Sequence, residues 1–226
     1  MAEILGGYGE ALILAGRGDE AKNYLNDALG VSRELKNEGM VSQTMVFQGD
    51  AAYYRGDSKS AHALYEQALR SAMRSKEPDK ILTAKINLGK VAILEGHAPQ
   101  AIASLRPLAQ EADDLGFKYL ALDCSISVAE AMMQEKNNAA ARQELERVLL
   151  RADKIGLKPL SAKDHYLLAT ILRANGNEPQ AQQHYRDALD LIDAMRKDPG
   201  ADKILERADF KTMYEEASRS THTAQS

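Results

Sequence analysis

The sequence predicts an all-α fold: about five helix–turn–helix repeats in tandem, closed by one further helix at the C-terminal end. Three observations carry this. Alanine supplies 35 of the 226 residues, roughly twice its usual share, while aromatics fall to 5% and tryptophan is absent. Small apolar side chains suit closely packed helices, whereas sheets favour β-branched and aromatic ones. Ala21, Ala61, Ala101, Ala141 and Ala181 recur every 40 residues. Glycine stands five residues before most of them, at Gly16, Gly56, Gly96 and Gly176, where a left-handed residue can close a helix.

Each repeat opens with a first helix centred on a small residue, Gly9, Gly49, Gly89, Ala129 or Ala169, twelve residues before the key alanine. A small residue there lets the two helices of a pair cross closely. The turn follows, with Lys136 breaking the glycine column and Asn137 and Asn138 offering the next best left-handed residues. The second helix is amphipathic, as in Ala61, Leu64, Tyr65, Ala68, Leu69 and Ala72. Pro78, Pro159 and Pro199 fall between repeats, where new helices begin. The expected repeats are 2–41, 42–81, 82–121, 122–161 and 162–201. A capping helix over 202–217 turns Ile204, Leu205, Ala208 and Met213 inward, and 218–226 is a polar, disordered tail. The first repeat lacks an evident N-terminal cap. This leads us to expect the C-terminal part of a longer array, or self-association through the uncapped end.

These columns resemble the tetratricopeptide repeat. Its small residue, turn glycine, Ala, Tyr or Phe, and Ala appear as Gly49, Gly56, Ala61, Tyr65 and Ala68, and again as Ala169, Gly176, Ala181, Tyr185 and Ala188. The resemblance covers roughly residues 2–200. A repeat of 40 rather than the common ~34 residues is similar to LGN-type scaffolds and to arrays in bacterial regulators. The resemblance implies a right-handed superhelical solenoid whose first helices line a concave groove.

Composition excludes several functions. The net charge is −4 with no basic block, against non-specific nucleic-acid binding. No apolar run is long enough to span a membrane, and a single cysteine, Cys124, fits a reducing cytoplasm. His62, His97, His165, His184 and His222 show no metal-ligand spacing. Repeat phase sets His165 and His184 on opposite helices of one pair, where they could approach. Without a third ligand in view they are read as satisfied or solvent-facing, so no metal, cofactor or catalytic residue is expected. Cys124 reads as a small buried thiol.

With each key alanine numbered 20, the resemblance places positions 2, 5, 9, 12 and 13 of the first helix on the groove. Columns 5 and 12 are mostly apolar and suit packing between first helices. The candidate partner contacts are Gln43, Asp50, Tyr53, Tyr54, Lys90, Leu94, Glu130, Gln134, Thr170 and Arg173, with Tyr53, Tyr54 and Arg173 foremost because Tyr and Arg are frequent hot spots. Positions 5 and 9 lack the Lys and Asn that chaperone-binding members use to hold a C-terminal carboxylate. The groove carries more acidic than basic residues, so the expected partner is a neutral or basic peptide or helix. The function expected is a non-enzymatic protein-interaction scaffold. The alternatives are a ligand-sensing or regulatory module of a multidomain bacterial kinase or transcription regulator, or a self-association module.

Overall fold

The computed structural model describes residues 1–222. Among them are eleven α-helices, one short 3-10 turn at Ile204–Glu206, and no strand. In chain order the helices are α1 (Ala2–Leu14), α2 (Gly18–Glu34), α3 (Glu38–Tyr53), α4 (Ser58–Ser75), α5 (Pro78–Leu94), α6 (Ala98–Asp114), α7 (Lys118–Gln134), α8 (Asn138–Lys154), α9 (Lys158–Ala174), α10 (Glu178–Arg196) and α11 (Ala208–His222). None of the described helices is long and apolar enough to cross a membrane.

The 40-residue period resolves into two steps of 20 residues, one helix in each. Gly16, Lys36, Gly56, Lys76, Gly96, Gly116, Lys136, Gly156 and Gly176 stand 20 residues apart, and each has φ between 52° and 83°. A left-handed residue past the last turn satisfies carbonyls that the helix leaves unpaired. Lys136 takes this conformation itself, in place of the neighbouring asparagines. Asn137 is instead the N-cap of α8, its side-chain oxygen accepting from the Ala140 N–H at 3.4 Å. First helices start near residues 38, 78, 118 and 158, four residues ahead of the expected boundaries, because apolar residues such as Val41 and Ala121 are already buried there.

The chain forms two compact units. Unit one comprises residues 1–95 with 200–208, and unit two comprises 96–199 with the chain from 209 onward. The core of unit one gathers Leu12, Leu25, Val41, Phe47, Tyr65 and Val91. A Cβ on Gly49 would come within 2.4 Å of the Tyr65 ring, and one on Gly9 within 2.5 Å of Leu25. The small-residue column therefore makes room for the large residue of the second helix. In unit two, Ala169, Leu172, Ala181 and Tyr185 pack with Ala217 of α11. All five key alanines are fully buried.

The C-terminal region departs from the expected helix over 202–217. Residues 200–208 hold only the 3-10 turn, and α11 starts at Ala208 and runs through Ser218 to His222, where a tail was expected. Residues 223–226 of that tail lie outside the described residues. Ile204 and Met213 are buried as anticipated, but Ala208 is exposed and Phe210 takes the inward place.

Candidate functional site

The candidate contacts fall on four first helices. In unit one, Gln43, Asp50 and Tyr53 lie on α3, Tyr54 caps it, and Lys90 and Leu94 lie on α5. In unit two, Glu130 and Gln134 lie on α7, and Thr170 and Arg173 on α9. First helices pack side by side within each unit, α1 on α3, α3 on α5, and α7 on α9. The apolar columns serve this packing: Val46, Ile86, Ile93 and Ile126 are buried.

On unit one, Asp50 accepts from the Tyr65 hydroxyl at 2.7 Å and from Asn87 Nδ2 at 3.1 Å, tying α3 to α4 and α5. Burial, and secondarily the Asp50 charge, raises the pKa of Glu10 on α1. Two carboxylates thus crowd one face, where a cation is favoured. Gln43 and Leu94 are exposed, while Tyr53 and Tyr54 are half-buried and meet edge to face, centroids 5.5 Å apart.

A segment from far along the sequence reaches the same face. The Arg207 guanidinium lies 3.8 Å from the centroid of the Tyr54 ring, well inside cation–π range. Its Nη1 donates to the Leu14 carbonyl at 3.4 Å, and the Ala208 N–H donates to the Tyr54 carbonyl at 3.1 Å. Both carbonyls sit at the C-terminal ends of first helices, which leave acceptors unpaired and carry partial negative charge. Lys203 pairs with Glu20 at 3.6 Å. Gly16 meets the segment directly: a Cβ there would lie 1.8 Å from the Lys203 carbonyl oxygen.

On unit two, Lys163 pairs with Glu130 at 2.7 Å, linking α9 to α7. Thr170 donates to the Tyr166 carbonyl at 2.9 Å within its own helix. Arg173 donates to Ser220 Oγ at 2.6 Å, and its guanidinium lies 5.4 Å from the Tyr185 ring centroid. The Tyr166 hydroxyl donates to Glu216, and burial, with that carboxylate, raises its pKa. Columns 5 and 12 of α9 therefore hold α11. The sequence led us to expect a capping helix on the last repeat, but not the seating of residues 200–208 on unit one or the side chains that hold α11, because residues past 200 lie outside the 40-residue ruler.

The two histidines approach each other, as their repeat phase allowed. His165 Nδ1 and His184 Nδ1 are 2.8 Å apart across α9 and α10, and Asp187 Oδ2 is 3.7 Å from His165 Nδ1. Asp187, one helical turn past His184, is a third polar neighbour that spacing did not reveal. Burial lowers the pKa of both rings. Cys124 is buried, as expected, and its thiol donates to the Leu105 carbonyl at 3.2 Å.

Residues 1–74 match the family model described as tetratricopeptide repeat. No curated protein matches the sequence. Among solved structures, a Rap protein complexed with Competence and Sporulation Factor is similar at 15% identity and a TM-score of 0.66, over 97% of this chain and 65% of that one. Repeats of a kinesin light chain from Podosopora anserina align at 17% identity and a TM-score of 0.58, over 86% and 96% of the two chains. A signal-transduction ATPase with a tetratricopeptide repeat sensor, from Pyrococcus horikoshii, aligns at 14% identity and a TM-score of 0.62, over 99% of this chain and 37% of that one. The chain spans just under two thirds of the Rap protein and little more than a third of the ATPase. At these identities the likeness is one of fold.

Proposed function

We propose that this chain, whose residues 1–74 match the tetratricopeptide repeat and whose fold is that of such arrays, is a non-catalytic, cytoplasmic interaction module whose first-helix faces hold a peptide or helix of a protein partner. The observation that carries the reading is the seating of residues 200–208 on unit one. A short, mostly irregular segment is held by a named groove tyrosine and by helix-end carbonyls, in the manner of a bound peptide. The contacts suggest the ligand: a cationic side chain for the Tyr54 ring, and a basic or neutral segment beside Glu10 and Asp50. Gln43, Tyr53, Lys90 and Leu94 would extend that surface in unit one, and Gln134, Glu130, Thr170 and Arg173 would form its counterpart in unit two.

The tetratricopeptide repeat sensor of the Pyrococcus horikoshii ATPase supports a second reading, in which this face reads a ligand on behalf of a larger signalling protein. Both readings predict the same loss. Tyr53→Ala with Tyr54→Ala is expected to abolish retention of a partner on the immobilised full chain while helicity by circular dichroism stays near wild type. Removing two aromatic anchors weakens such contacts by about 2–4 kcal/mol, or about 30-fold to 1000-fold. Glu66→Ala with Arg70→Ala, exposed on α4, is the control that should retain the partner. Equal loss in both variants would refute the assignment of the face.

A further inference from the structure

We propose that His165, His184 and Asp187 form a binding site for a divalent transition metal, Zn²⁺ in the first instance, which clips α9 to α10. The three side chains present one ligand atom each within a span of 4.8 Å. Around tetrahedral zinc with bonds of about 2.0–2.1 Å, ligand atoms stand about 3.3–3.4 Å apart. The observed separations, 2.8 Å between the two Nδ1 atoms and 3.7 Å from His165 Nδ1 to Asp187 Oδ2, lie on either side of that value. Those two pairs are each within about 0.6 Å of the tetrahedral spacing, and the third pair, His184 with Asp187, lies within 4.8 Å.

The secondary structure supplies the register. His184 and Asp187 are three residues apart on α10, so they share one helical face, and His165 on α9 completes the set from across the pair. Two imidazoles and one carboxylate suit borderline divalent ions such as zinc far better than calcium or magnesium, which prefer all-oxygen shells.

The surroundings add an entry path and an outer shell. His184 lines a cavity of about 220 Å³ with Glu146, Gln180 and Gln183, leaving room for a water as fourth ligand. Gln183 Nε2 donates to Asp187 Oδ1 at 2.9 Å, which leaves Oδ2 turned toward the histidines and fixes the carboxylate as outer-shell bonds do in metal sites. Arg142 also lines the cavity, but its guanidinium is engaged by Glu146 at 2.7 Å. A clip here would also fix the rotation of α9, whose next residue, Tyr166, and Arg173 hold α11.

The test is equilibrium dialysis of the full chain, stripped with chelator, against Zn²⁺, with metal measured per chain. The wild type is expected to retain about one zinc per chain. His165→Ala and His184→Ala should each weaken binding by about 100-fold or more, while His62→Ala, exposed on α4, leaves it unchanged. Co²⁺ added to the wild type should give the intense visible bands of a tetrahedral ion, bleached by zinc. That arm needs no variant to fold. Absence of retained zinc, retention undiminished by His165→Ala with His184→Ala, or a cobalt spectrum of the hydrated ion would each overturn the site. None of these outcomes depends on the peptide-binding reading.

Discussion

Replacing Asp164 with alanine is expected to stabilise the protein by about 2–4 kcal/mol at pH 8, with the gain shrinking to nearly nothing by pH 4. Asp164 is fully buried, and neither carboxylate oxygen has a hydrogen-bond partner among the described residues. Burial, with a smaller push from the Asp153 charge, raises its pKa from 3.8 to about 8. The repeat explains its position. Forty residues earlier the same place holds Cys124, then Ala84, then Thr44, all buried, because the helix before each covers that side. Ile4, in the first repeat, is 75% exposed. Asp164 thus sits where the fold wants a small, weakly polar side chain.

A raised carboxyl pKa means that the folded state holds a proton which the unfolded chain has released. Stability is fully present below about pH 4 and falls by about 1.4 kcal/mol per unit as pH rises toward 8. Alanine removes that slope, offset by a small cavity cost. Urea unfolding of both proteins between pH 4 and pH 9 would measure it. A difference that does not change with pH would show that Asp164 is not the group responsible.

Gly16→Ala is expected to cost about 2–4 kcal/mol more than Gly56→Ala, although the two glycines have nearly the same backbone, φ 83° and 78°. Alanine is strained by about 1 kcal/mol in either place, after allowing for the lost freedom of the unfolded glycine. At Gly56 nothing lies within 4 Å of the new methyl, so that strain is the whole effect. At Gly16 the methyl would stand 1.8 Å from the Lys203 carbonyl oxygen, and a backbone atom cannot swing aside as a side-chain tip does. The segment must lift away, losing the burial of Ile204, the Ala208–Tyr54 hydrogen bond and the Arg207 contact with Tyr54. Melting the two variants side by side separates the contributions. Equal destabilisation would mean that residues 200–208 add nothing to unit one.

What the sequence carried well was local and periodic. Key alanines, turn glycines and small residues at helix crossings follow from sterics that act in every repeat, so five copies made each legible. Even there the period hid a subdivision, since Lys36, Lys76 and Lys136 do a glycine's work without a glycine's signature. The candidate contacts lie on or at the end of first helices, where the repeat phase set them. Their present engagements were not legible, because the Arg207–Tyr54 and Arg173–Ser220 contacts join residues 153 and 47 positions apart, and no repeat column connects them. Asp187 was missed for a related reason. A three-residue step on α10 sets Asp187 beside His184, and the meeting of all three side chains needs α9 to bring His165 across.

Hydrogen–deuterium exchange on the full chain, with and without a partner captured by it, tests the interaction reading most directly. The reading predicts that the partner slows exchange along α3 and α5, or along α7 and α9, while the second helices α4, α8 and α10 exchange as before. Displacement of residues 200–208 would show as faster exchange at Ala208, whose N–H now bonds to Tyr54. Protection confined to the second helices, with the first helices unchanged, would contradict it.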